Sequence, residues 1–166
     1  MKNAITILFS LFLLSVAKAQ EPAPHLYDPS APAEKEISDA VRKAKAEGKH
    51  VMLQAGGNWC GWCIRFDKFC KDDPRIDSSL RSAYIIVHLN FSKENYNLPV
   101  FTRLGYPQRF GFPVFIVLDG NGKQLHVQNS SYLEKEKSYD RDKVLGFLED
   151  WSPLAFDPSR YKMNLP

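Results

Sequence analysis

Cysteine is scarce in this chain. Three cysteines occur in 166 residues, all between positions 60 and 70, which excludes a small scaffold stapled by several disulfides. A charge excess is also missing. The balance is 22 Lys and Arg against 19 Asp and Glu, a net charge of +3, so there is no electrostatic footprint for nucleic acid or for an anionic membrane surface. The four histidines, His25, His50, His88 and His126, are scattered. None has the spacing to Asp, Glu or Cys that would complete a zinc site, and three cysteines are too few to form one alone. Internal repeats are absent. The apolar run from Ala4 to Val16 has 13 residues, short of the roughly 20 that a membrane-spanning helix needs.

That short run has another meaning. Lys2 precedes it, and the small-x-small triplet Ala17-Lys18-Ala19 follows it, ahead of Gln20. This is the pattern of an export signal, residues 1–19, cleaved near Gln20. The mature chain would then hold 147 residues with a net charge of +1, since Lys2 and Lys18 leave with the signal. One domain with one core is the expectation, free of the membrane once the signal is removed, and exported to a periplasmic or extracellular space. Thiols tend to pair in such oxidising compartments.

Residues 20–32 carry Pro22, Pro24, Pro29 and Pro32 without periodicity and read as an extended lead-in. The domain is expected over 33–151. Ile37, Ala40, Val41 and Ala44 follow helical spacing from Ala33 to Glu47, with Gly48 suited to the C-terminal cap. Val51–Gly56 reads as a strand, 64–71 and 74–82 as helix broken before Pro74, and Tyr84–Asn90 as a second strand. Strand, helix and strand at this spacing imply a parallel βαβ unit. A short helix follows near 98–104. Two strands, 114–118 and 124–128, then flank the turn Asp119-Gly120-Asn121-Gly122-Lys123. Asp140 caps a last helix through Trp151, residues 134–137 read as a solvated polar turn, and 152–166 as a loosely attached tail.

The chemistry concentrates in Cys60-Gly61-Trp62-Cys63. Where a strand ends and a helix begins, the first sulfur sits among unpaired amides at the positive end of the macrodipole, which favours a thiolate. Cys60 is then the nucleophile. Cys63, one turn on, is placed to attack a mixed disulfide formed at Cys60, in an exchange that needs no cofactor. A CxxC pair alone also fits metal binding or a static staple. Cys70, seven residues past Cys63, falls on the same helical face and reads as a small buried apolar side chain.

The stretch Val51-Met52-Leu53-Gln54-Ala55-Gly56-Gly57-Asn58-Trp59-Cys60-Gly61-Trp62-Cys63, with Phe112-Pro113-Val114 ahead of the hairpin, resembles the thioredoxin superfamily, and in particular its exported single-domain branch. The resemblance spans about residues 33–151 in element order. It implies an α/β thioredoxin fold, with a mixed central sheet (βαβ then ββα) and helices on both faces. It further implies a cis peptide before Pro113 beside the sulfurs, and a Phe112 backbone that binds substrate. Two departures stand out. Gln54 occupies the place of the family's buried aspartate, and His88 that of the lysine facing it. His88 is therefore a candidate for steering the resolving proton through Gln54 or a water. Trp62 adds bulk without charge, and Trp59 and Trp62 are read as an aromatic surface for unfolded or extended peptide.

The resulting expectation is a monomeric thiol–disulfide oxidoreductase without metal or cofactor. It would act on disulfide-containing or unfolded exported proteins together with an unidentified redox partner protein. The reductase or isomerase direction is favoured because the centre lacks the histidine of strongly oxidising relatives. A copper carrier using the CxxC pair and a redox-inert peptide-binding adaptor are the rival readings.

Overall fold

The first helix, α1 (Ala33–Glu47), starts after Pro32 and ends where Gly48 turns left-handed at φ 64°. Its buried residues, Ala33, Ile37, Ala40 and Ala44, keep the spacing of one packed face. The chain then enters β1 (His50–Gly56), α2 (Gly61–Asp72), α3 (Pro74–Ala83) and β2 (Tyr84–Asn90). It continues through α4 (Leu98–Arg103), β3 (Val114–Leu118), β4 (Gln124–Asn129), the two-residue strands β5 (Glu134–Lys135) and β6 (Ser138–Tyr139), and α5 (Arg141–Asp150). The computed structural model describes residues 25–162; the export signal read at residues 1–19 lies outside them.

Four strands form the sheet in the order β2-β1-β3-β4. Strand β1 runs parallel to β2 and antiparallel to β3, and β3 is antiparallel to β4. The sheet is mixed, with helices on both faces. Alternation along β1 sorts the two cores. Val51, Leu53 and Ala55 face α1 and α4 with Val87, Leu89, Ile116 and Phe101. Met52 faces the other way, onto Phe66 and Cys70 of α2, Ile76 of α3, Phe115 of β3 and Val144 and Leu148 of α5. Every residue of β1 and β3 is buried, as the two central strands require. Among the described residues no helix is long and apolar enough to cross a membrane.

Three stretches differ from the sequence reading. The segment 134–137 is more than a solvated turn, because Glu134 and Lys135 pair with Tyr139 and Ser138 and bring Tyr139 into the core. Residues 25–32, though without regular secondary structure, place Tyr27 at 2 % exposure inside the fold. Past α5, Pro153–Phe156 forms a 3₁₀ turn whose Phe156 ring meets His50 edge-on at 5.5 Å, so this part of the tail is seated on the domain.

Asp73 links α2, α3 and α5. Its carboxylate caps α3 through the amides of Arg75 (2.9 Å) and Ile76 (3.1 Å) and receives Arg141 Nε of α5 at 2.6 Å. The Arg141 contact, followed by these amides, holds the carboxyl below its ordinary range. A depressed carboxyl stabilises the fold above its unfolded pKa, and that contribution is lost as pH falls through the folded value. Asp73→Asn keeps the cap and removes the charge. It should be less stable than wild type at neutral pH, and the two urea midpoints should converge as the solution is acidified below the carboxylate range.

Candidate active site

The site grows out of the end of β1. Gly56 and Gly57 leave the strand, the Cys60 amide bonds back to Gly57 O (2.9 Å), and α2 begins at Gly61 with Cys60 as its cap residue. Cys60 Sγ accepts the backbone amide of Cys63 at 3.1 Å. The first turn of α2 carries no acidic side chain to oppose negative charge there. An amide donor and a helix N-terminus together stabilise a thiolate on Cys60. The structure joins Cys60 and Cys63 in a disulfide. Cys63 is fully buried, and Cys60 exposes 4 % of its surface.

Phe112 and Pro113 come from the loop before β3, and the peptide between them is cis. Phe112 packs against the cluster formed by Cys60, Cys63 and Tyr27. Its ring meets Trp59 edge-on at 5.5 Å and lies 5.0 Å from Phe91. Trp59 is 58 % exposed, while its indole donates to Phe91 O at 2.8 Å. Beyond it lies an open groove of about 440 Å³ lined by Trp59, Phe91 and Tyr96 with Ser92, Lys93 and Glu94. Trp62 has a different setting. It is half-buried against Tyr139, with ring centroids 5.5 Å apart, Arg65 over its face at 4.6 Å, and the Tyr139 hydroxyl donating to its carbonyl at 3.1 Å. The exposed aromatic surface beside the sulfurs is therefore led by Trp59 rather than shared equally with Trp62.

Beneath the pair, Gln54 sits on the α2 face of β1, in register with His88 of β2. Its amide nitrogen donates to Cys63 O (3.1 Å) and to the Tyr27 hydroxyl (3.0 Å). Neither of these bonds reaches His88. His88 instead meets the Tyr27 ring edge-on at 5.5 Å and lines a cavity of about 240 Å³ with Gln54, Asp67, Cys70 and Lys71. Burial pushes the His88 pKa down, with Asp67 opposing the shift, so the ring is neutral near neutral pH. Cys70 is buried in the α2-side core, and that burial pushes its thiol well above the ordinary range. It is an inert thiol at neutral pH. Among the described residues no group of three or more His, Cys, Asp or Glu is placed to hold a metal ion.

The residue that sequence reasoning missed is Tyr27. The lead segment carrying it is clamped to the loop before Cys60: the Tyr27 amide donates to Asn58 Oδ1 (2.9 Å), and Asn58 Nδ2 donates back to Tyr27 O (2.8 Å). A lone aromatic in a proline-rich, non-periodic stretch offers no pattern that marks it as core.

A family profile described as thioredoxin-like matches residues 33–120. The chain belongs to the thioredoxin-like family. Over 106 residues, 64 % of this chain, it is 30 % identical to the thiol:disulfide interchange protein DsbD of Salmonella paratyphi A. It is 26 % identical over 89 residues, 54 % of its length, to the protein of the same name from Escherichia coli K12. These stretches amount to only 18 % and 15 % of those longer proteins. Among solved structures, a disulphide isomerase from Xylella fastidiosa Temecula1 superposes with a TM-score of 0.68 at 21 % identity, over 78 % of this chain and 98 % of its own. A second structure, titled DsbH oxidoreductase, gives 0.53 at 17 % identity, over 86 % of this chain and 94 % of its own. These likenesses establish the thioredoxin-like fold.

The Asn58 clamp is testable directly. Asn58→Ala should lower the unfolding free energy by about 1–3 kcal/mol, because it leaves buried backbone groups unpaired. Amide exchange at Tyr27 should accelerate by more than at core amides of β1 or β3.

Proposed function

We propose that this protein is an exported thiol–disulfide oxidoreductase, working through Cys60 and Cys63 on disulfides of exported proteins. The observation that carries the reading is the Cys60 sulfur held at the N-terminus of α2, 3.1 Å from the Cys63 amide and packed beside Phe112 of the cis-proline loop. The matching stretches of proteins named for thiol:disulfide interchange support it, and the signal pattern of residues 1–19 supports export.

In the reducing direction the Cys60 thiolate attacks one sulfur of a substrate disulfide. The second substrate sulfur leaves with the electron pair and takes a proton from water. Cys63 then loses its proton and attacks Cys60 Sγ. The Cys60–substrate bond breaks, the substrate departs reduced, and the two electrons it gained leave behind a Cys60–Cys63 disulfide. A redox partner protein returns the pair to dithiol. In isomerisation the substrate's own thiol resolves the mixed disulfide, and no net electrons pass. Trp62 brings no positive charge to the centre, so the dithiol is not strongly favoured over the disulfide, and the reductase or isomerase direction follows. Substrate lies as an extended segment along the Phe112 backbone and against Trp59, with the groove towards Tyr96 receiving an apolar side chain. His88, neutral and bordering the cavity behind Gln54, serves as the group that takes up the Cys63 proton through water.

An insulin reduction assay tests the reading. Wild type should precipitate the insulin B chain, Cys60→Ser should fall to the uncatalysed rate, and activity that survives this substitution would contradict the assignment. Under the same assay, His88→Ala should shift the pH profile of the rate. An unmoved profile removes His88 from the proton path and leaves the role of the cysteine pair standing.

A further inference from the structure

We infer that the Tyr27 hydroxyl is the hydrogen-bond donor that stabilises the Cys63 thiolate, taking over from the lead segment the place beneath the sulfurs where the strand supplies only Gln54. The inference rests on the oxidoreductase reading for its catalytic consequence. Its geometry stands on its own. The Gln54 amide nitrogen commits its hydrogens to Cys63 O and to Tyr27 Oη, and the acceptor-only carbonyl of Cys63 fixes which end of the amide faces the helix. The Tyr27 oxygen is thus already an acceptor, and its one proton is left for another neighbour. In the reduced protein, with the Cys60–Cys63 bond broken, the Cys63 sulfur beside it is the acceptor. Both atoms crowd the same side of Gly56, where a Cβ would overlap Cys63 Sγ and lie 2.9 Å from Tyr27 Oη. Tyr27, Cys60 and Cys63 form one buried cluster. A larger residue at position 56 would separate the two groups.

Burial raises the Tyr27 pKa far above neutrality, with a further push from Asp67. The phenol therefore keeps its proton and acts as donor, not base. The charged and titratable groups around this corner are His88 and Tyr84 on β2, Asp67, Cys70 and Lys71 on α2, and Asp77 and Arg81 on α3. Asp67 is paired with Lys71, and Asp77 with Arg81. The local charges largely offset one another, and the phenol is the neutral donor beside the sulfur. During resolution the Cys63 proton passes to water, the thiolate receives the Tyr27 O–H bond, and attack on Cys60 Sγ expels the substrate sulfur with its electron pair.

The test measures the Cys63 titration by NMR of isotope-labelled cysteine in a Cys60→Ser background. Tyr27→Phe keeps the ring in the cluster and deletes only the hydroxyl. It should raise the Cys63 pKa by about one unit, a tenfold loss of thiolate at a given pH. With both cysteines present, decay of the mixed disulfide should slow by about tenfold, while first attack by Cys60 is unchanged. Fluorotyrosine at position 27, a stronger acid, should shift the titration the opposite way. Tyr84→Phe is the control, since its buried hydroxyl donates at 2.7 Å to Leu148 O, away from the sulfurs. An unmoved Cys63 titration in Tyr27→Phe, or an equal shift in Tyr84→Phe, overturns the inference. Because this titration uses no substrate, it decides the role of Tyr27 whether or not insulin is reduced.

Discussion

The hydrogen bond from the Cys63 amide to the Cys60 sulfur is the interaction around which the rest of the molecule is arranged. It exists only because a buried strand stops at Gly56 and a helix starts at Gly61, with Cys60 as the residue between them. The first amides of a helix lack internal partners, and the macrodipole concentrates positive potential there. A sulfur placed at that point is stabilised as an anion without any neighbouring cation. The absence of an acidic side chain in the first turn of α2 leaves that effect unopposed.

The alternation of β1 decides what lies under the sulfurs. Leu53 and Ala55 point to the α1 side, whereas Gln54 and Gly56 fall on the α2 side beneath the pair. A slip of one residue would exchange these sets and put a leucine or alanine against Cys63. Gly56 has no side chain because the sulfur and the Tyr27 hydroxyl take that space. Gln54 bonds to the helix through Cys63 O and to the lead segment through Tyr27. Parallel pairing of β1 and β2 brings His88 level with Gln54, behind the tyrosine ring.

Much of this was legible in the residues. The period of α1, the apolar runs of β1 and β2, the Asp-Gly-Asn-Gly turn and the Asp140 cap each express a local rule, and the observed elements match those positions closely. What escaped notice depends on long-range contact. Tyr27 is a core residue because Asn58, 31 positions away, binds its backbone on both sides. The hairpin at 134–139 exists because Tyr139 finds Trp62 and Phe66 across the fold, and charged neighbours disguise it in sequence. Likewise, His50 and His126 are unremarkable in the chain. His50 Nδ1 donates to the Trp151 carbonyl at 2.9 Å, and His126 stacks flat on the Trp151 ring at 4.1 Å.

The central claim is the division of labour between the two sulfurs, and trapping tests it most directly. Cys63→Ala should accumulate a mixed disulfide with a disulfide-bonded model peptide, and mass spectrometry of the digest should place the adduct on Cys60. An adduct on Cys70, or none at all from folded and fully reduced protein, would contradict the account.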